Sequence, residues 1–147
     1  MRRRYLVLLI LGIVLQLVSA CRSSAQENVA VAIVVNRSVK SGDMSVMDVR
    51  KLFLGEKGTL PNGRRAILLM SPVGTPARKV VLRQIYKMSE TEFAKYILQS
   101  AFTGRQSPPH EVAAGEMKKL VAERPDVIGY LPVTQVDDAI RAVLVVQ

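Results

Sequence analysis

The chain predicts an α/β domain with a mixed sheet flanked by helices, and three observations carry that reading. Val29 to Val35 is an almost unbroken run of Val, Ala and Ile, which suits a strand buried on both faces. Helical stripes of period 3.6 follow between short apolar runs. Two capping signatures, Ser45-x-x-Asp48 and Ser89-x-x-Glu92, mark where helices begin. The predicted order is β-α-β-α-α-α-β-β, with one helical turn near Gln135.

Each element has a local reason. Ser45 opens a short helix whose Val49, Leu52 and Phe53 share a face. Pro61-Asn62-Gly63 is a turn, and Ala66 to Met70 a second buried strand. Thr75 is a good N-cap and Pro76 fits the first helical position. The helix behind them carries Val81, Leu82, Ile85 and Tyr86 on one side. Ser89 starts a third helix with Phe93, Tyr96 and Ile97 inward. Phe102 to Pro109 is predicted as a loop, stopped by Pro108-Pro109. Ala114, Met117, Leu120 and Val121 form another helical stripe. Val127–Leu131 and Ala142–Val146 are the last strands. Three apolar–glycine phrases punctuate this order: Phe53-Leu54-Gly55, Phe102-Thr103-Gly104 and Ile128-Gly129-Tyr130. Each is expected to anchor the chain in the core and then turn it sharply, because glycine accepts φ > 0 without steric cost. Gly129 is expected where a side chain cannot fit, beside a strand or at a sharp bend, with Ile128 or Tyr130 in the core.

The N-terminus reads as an export signal. Met1-Arg2-Arg3-Arg4 is a positive n-region, Tyr5 to Val18 an apolar stretch, and Ser19-Ala20 its small-residue end. A spanning helix needs about 20 apolar residues, so a signal is preferred to a retained anchor. Val18-Ser19-Ala20-Cys21 resembles a bacterial lipobox, which implies cleavage before Cys21 and lipidation of its thiol. Ser23-Ser24-Ala25 offers an ordinary cleavage site as the alternative. Both place the mature chain outside the cytoplasm, in the cell envelope or periplasm. The expected organisation is 1–20 signal peptide, 21–28 tether and 29–147 domain, large enough for a core. Cys21 is the single cysteine, so no internal disulfide can form. Asn36-Arg37-Ser38 fits a glycosylation sequon and is read as chance.

The formal net charge is +9, of which Arg2, Arg3 and Arg4 supply three. Lys79, Arg83 and Lys87 recur every fourth residue on one helical face. A solvated face explains them, and so does attraction to anionic headgroups. Nucleic acid is not expected as a partner, since the chain is exported and has no recognisable binding module.

Catalytic patterns are scarce, and no enzyme is expected. His110, the single histidine, is read as standing in a proline-rich loop, so neither a zinc site nor any other metal or cofactor is expected. No serine stands in a Gly-x-Ser-x-Gly elbow. Gly58 and Gly63 have phosphate-loop spacing, but Arg64-Arg65 and a strand follow. Asp137-Asp138 reads as a solvated turn. One region suits an anion. Ser71, Gly74 and Thr75 lead into a helix N-terminus, with Arg78 about one turn in and Thr103-Gly104-Arg105 as a second donor set. A capped helix and an ordinary loop would give the same residues.

Ser45 to Gly55, reading Ser-Val-Met-Asp-Val-Arg-Lys-Leu-Phe-Leu-Gly, is similar to a segment of bacterial phosphate-binding proteins of ABC transporters. The Pro61-Asn62-Gly63 turn, the Gly74-Thr75 helix opening, Phe102-Thr103-Gly104 and Pro125-Asp126-Val127-Ile128-Gly129-Tyr130 follow in the family's order. The chain thus resembles the short periplasmic-binding-protein-like group, from Val29 to about Val146. The resemblance implies a single truncated domain of the type 2 periplasmic binding fold. It also implies phosphate or a related oxyanion as ligand, held by Ser71, Gly74, Thr75, Arg78, Thr103, Gly104 and Arg105. An ABC permease or another envelope protein would be the partner, and Cys21 the lipid attachment to a membrane. The family's crossover loop resembles Arg-Ser-x-Gly-Ser-Gly-Thr. Here Leu69 and Val73 replace its arginine and second serine, and Gly74 and Thr75 match. The alternative function is an envelope interaction module that keeps the fold without a ligand.

Overall fold

The computed structural model describes residues 29–40, 42–104 and 107–147. Cys21 and Arg105 lie outside the described residues, as do the predicted signal and tether. Nine elements follow in order: β1 (Val31–Asn36), α1 (Val46–Phe53), β2 (Ile67–Met70), α2 (Pro76–Val81), α3 (Glu90–Thr103), β3 (His110–Glu111), α4 (Ala114–Glu123), β4 (Val127–Pro132) and β5 (Ile140–Val146). The strands form one sheet in the order β3-β2-β4-β1-β5. β1 runs antiparallel to β4 and β5, whereas β2 runs parallel to β3 and β4, so the sheet is mixed as expected.

Period-2 alternation sorts the core into two layers. Val31, Ile33 and Val35 of β1, Leu68 and Met70 of β2, and Ile128 and Tyr130 of β4 face the cluster built with α1, α2 and α3. Ala32, Val34, Leu69, Val127 and Leu131 face the other cluster, with Met117 and Val121 of α4. Every residue of β1 is buried, which is why that segment reads as continuously apolar. Asn36 ends β1 by donating its amide to the carbonyls of Val121 and Ala122, at 2.9 and 2.6 Å. Its buried amide is thereby engaged at the end of α4, consistent with treating the sequon as chance.

The predicted helix starts hold. Ser45 accepts from the N–H of Asp48, and Ser89 with Glu92 closes a full capping box. The Ser89 N–H and hydroxyl hold the Glu92 carboxyl below the usual carboxylate range. α2 runs without a break into a π turn over Leu82–Tyr86 and stops at Lys87, a non-glycine residue with φ 58°. An L-residue in that left-handed region costs about 1–2 kcal/mol.

Two expectations need correction. Phe102 is not a core anchor. α3 extends through Thr103, Gly104 closes it with φ 64°, and Phe102 is 84 % exposed on its last turn. The long capped helix takes Phe102 and Thr103 out of the predicted loop, and the phrase marks a glycine C-cap. Gly129, by contrast, sits where a side chain cannot, as expected, with Ile128 and Tyr130 in the core. It lies inside β4, where an added Cβ would meet the Met117 side chain at 2.9 Å. Close approach of α4, rather than φ > 0, selects glycine there. Finally, His110 is not simply in a loop: His110 and Glu111 pair with Leu69 and Met70 as β3. A two-residue edge strand carries no period for a sequence to reveal. Phe53-Leu54-Gly55 does behave as expected, with Phe53 buried and Gly55 at φ 70°.

Candidate functional site

The candidate site forms where β2 ends. Ligands of open α/β sheets gather beyond the carboxyl ends of parallel strands, and Ser71–Thr75 leaves β2 at that end. Ser71 is buried, and its N–H donates to the Tyr130 hydroxyl at 3.0 Å. Tyr130 is itself fully buried, and burial pushes its hydroxyl pKa up while the Ser71 N–H offsets part of that shift. The Ile128-Gly129-Tyr130 phrase therefore fixes the start of the loop. Gly74 turns the loop at φ 86°.

Thr75 is the N-cap residue of α2, but its side chain does not cap the helix. Its hydroxyl donates to the Pro72 carbonyl at 2.9 Å. Pro76 has no N–H to offer, so the following N–H groups of the first turn lack a side-chain acceptor from the cap. This opening carries the positive end of the helix dipole.

Arg78 closes the site from below, and its side chain is only 8 % exposed. Its Nε and Nη2 donate to both carboxylate oxygens of Glu90. Its Nη1 donates to the Ser71 carbonyl at 2.9 Å and to Glu111 Oε2 at 3.1 Å. The guanidinium also lies 5.5 Å from the Phe93 ring centroid. The side chains of Glu90 and Glu111 remain 39 % and 53 % exposed. One buried cation thus joins the loop, the start of α3 and the edge strand β3. Two carboxylates surround it.

Ser71, Gly74, Thr75 and Arg78 are brought together. Thr103 and Gly104 are exposed at the far end of α3, and the Thr103 hydroxyl donates back to Gln99 and Ser100 of its own helix. No hydrogen bond among the described residues joins them to the loop. Glu90 and Glu111 are the members the sequence reading missed. A signal existed: Arg78 precedes Val81, Leu82 and Ile85 by three, four and seven residues, so it lies on the buried stripe. A buried arginine requires anionic partners.

Comparison with known proteins gives a fold. No family model matches the chain, and no curated protein matches it. Among solved structures, it is similar to a protein assigned as a phosphate ABC transporter substrate-binding protein, with bound phosphate, from Clostridium perfringens. The TM-score is 0.61 at 15 % identity, over 78 % of this chain and 44 % of that one. It is also similar to an ABC-type phosphate transport receptor from Vibrio cholerae, with TM-score 0.59, 14 % identity, and coverage of 78 % and 45 %. PstS from Borrelia burgdorferi gives TM-score 0.50 and 15 % identity, over 71 % of this chain and 40 % of that one. The chain has the α/β fold of these phosphate transport substrate-binding proteins and spans less than half the length of each of the three.

Proposed function

We propose that this chain is an exported, non-enzymatic solute-binding-like protein that takes phosphate or a related oxyanion at the Ser71–Thr75 loop. The observation that carries the reading is the uncapped opening of α2 beside a buried guanidinium, at the carboxyl end of β2. The fold shared with phosphate transport proteins supports it. Glu111 occupies one side of Arg78 from a half-exposed position on an edge strand. An incoming oxyanion would exchange with that carboxylate, accept the first-turn N–H groups and the Thr75 hydroxyl, and leave Glu90 in place. The resemblance extends the reading to an ABC permease or another envelope protein as partner. The lipobox-like Val18-Ser19-Ala20-Cys21 supports attachment to a membrane through lipidated Cys21. Mass spectrometry of the mature N-terminus tests that attachment: a diacylated Cys21 is expected, and an unmodified chain beginning at Gln26 would exclude it.

Competition with Glu111 makes the expected affinity weak, from about millimolar to about ten micromolar, or roughly 4–7 kcal/mol. Exposure to solvent makes it salt-sensitive. Titration calorimetry with phosphate and with sulfate at two salt concentrations is the test. Glu111→Gln removes the internal competitor and should tighten binding on the order of tenfold, about 1.4 kcal/mol. Thr75→Ala should weaken binding, and Lys87→Ala should leave it unchanged. Absence of heat from both anions, with the native chain and with Glu111→Gln, would overturn the reading. The second reading is a ligand-free envelope interaction module. The same ion pairs favour it, because two carboxylates already satisfy Arg78 without any ligand.

A further inference from the structure

A second surface shares Val73 and Gly74 with the Ser71–Thr75 loop but turns other side chains to solvent than the Arg78 cluster, and it has a different chemistry. Val73, Leu82 and Met88 form the apolar floor of an open groove of about 610 Å³, and Lys79, Arg83 and Lys87 stand around it. Val73 is 63 % exposed. Glu90 also borders the groove, but Arg78 already engages its carboxylate. Among the described residues no hydrogen bond or ion pair occupies the three cationic heads.

The backbone is unusual at the same place. The helix widens into a π turn over Leu82–Tyr86, a feature that concentrates at functional sites. It ends on Lys87 in the left-handed region, where glycine would be the unstrained choice. Strain kept at a surface lysine suggests that its side chain is used. Apolar floor and cationic rim together match an anion carrying a hydrocarbon body. Isolated anions would leave the floor exposed, and neutral apolar partners would leave three charges unanswered.

We infer that this groove lies against a bilayer surface containing anionic phospholipid. Lys79, Arg83 and Lys87 meet headgroup phosphates, and Val73, Leu82 and Met88 reach the acyl boundary. The contact uses none of the Arg78 donors and does not depend on Cys21 lipidation, but it shares Val73 and Gly74 with the oxyanion loop. It would orient the domain on the membrane.

The chain contains no tryptophan, so Val73→Trp is a unique fluorescent reporter. The full chain is placed in vesicles of bromo-acyl phosphatidylcholine, with or without about 30 % phosphatidylglycerol. Quenching of the Val73→Trp signal is expected in the anionic vesicles and not in the neutral ones. Leu98→Trp, exposed on α3 and not among the residues lining the groove, should stay unquenched in both. Charge reversal of Lys79, Arg83 and Lys87 to glutamate should weaken the contact on the order of 100-fold. If that variant does not fold, raising salt from about 0.1 M to about 1 M on the native rim replaces it, and quenching should be lost. An unquenched Val73→Trp in anionic vesicles overturns the inference. So does equal quenching in neutral vesicles or in the folded charge-reversal variant. Protection of Val73→Trp by an acidic protein partner, without lipid quenching, would overturn it in favour of that partner.

Discussion

Phe53→Ala should lower the free energy of unfolding by about 3–5 kcal/mol, read by urea denaturation of the native and variant chains. Phe53 is buried at the end of α1, with its ring centroid 5.7 Å from that of Tyr86 in an edge-on arrangement. Tyr86 in turn packs at 4.7 Å on Phe93, and Tyr96 stands nearby. Removing the Phe53 ring takes away its own burial and one wall of this cluster, so the cavity is lined by rigid rings that collapse poorly. Ile128→Ala, on the same face of β4, should cost about 2–5 kcal/mol. Tyr86→Phe is the internal control. Burial raises the Tyr86 hydroxyl pKa far above its ordinary value, and that hydroxyl has no hydrogen-bond partner among the described residues. Deleting it should be neutral or stabilising by about 1 kcal/mol. Small losses for both Phe53→Ala and Ile128→Ala would mean that this face of the sheet is not the core described here.

How far the fold was legible follows from the length and period of each segment. β1, α1, β2, α2 and β4 announce themselves because burial is enforced over a whole period, and caps such as Ser45 and Ser89 are local chemistry. β3 was invisible because two residues on an edge have no period. Phe102 misled because an apolar residue beside a glycine fits a core anchor as well as a C-cap. The site was half legible. Ser71, Gly74 and Thr75 are contiguous and turn-forming, so sequence could group them. Glu90 and Glu111 reach Arg78 from separate elements, 12 and 33 residues away. Tertiary contacts of that kind leave no spacing in a single sequence. The π turn at Leu82–Tyr86 buries Leu82, Ile85 and Tyr86, a spacing that an α-helix would also show, so it too leaves no trace in the pattern.

Arg78→Ala should destabilise the domain by about 2–4 kcal/mol. Breaking a fully buried ion pair from one side costs about 3–5 kcal/mol. Glu90 and Glu111 are partly solvated, so water recovers some of that loss. Other losses are not recovered. The Ser71 carbonyl loses a buried donor, the Phe93 ring loses the guanidinium stacked at 5.5 Å, and the aliphatic stem leaves a void under the loop. Arg78→Met with Glu90→Gln and Glu111→Gln should regain much of the stability, because it removes the desolvated charges together. A double-mutant cycle between Arg78 and Glu111 then separates scaffold from site. A pair that only braces the fold gives coupling that added phosphate does not alter. A pair in which the carboxylate holds an oxyanion's place behaves differently: with Glu111→Gln, phosphate at about 100 times its Kd should raise stability by about 2.7 kcal/mol. The native chain should gain less at the same concentration, since its own Glu111 must first leave Arg78. Equal and negligible gains in both chains would assign Arg78 to the scaffold alone and leave the loop without an anion to hold.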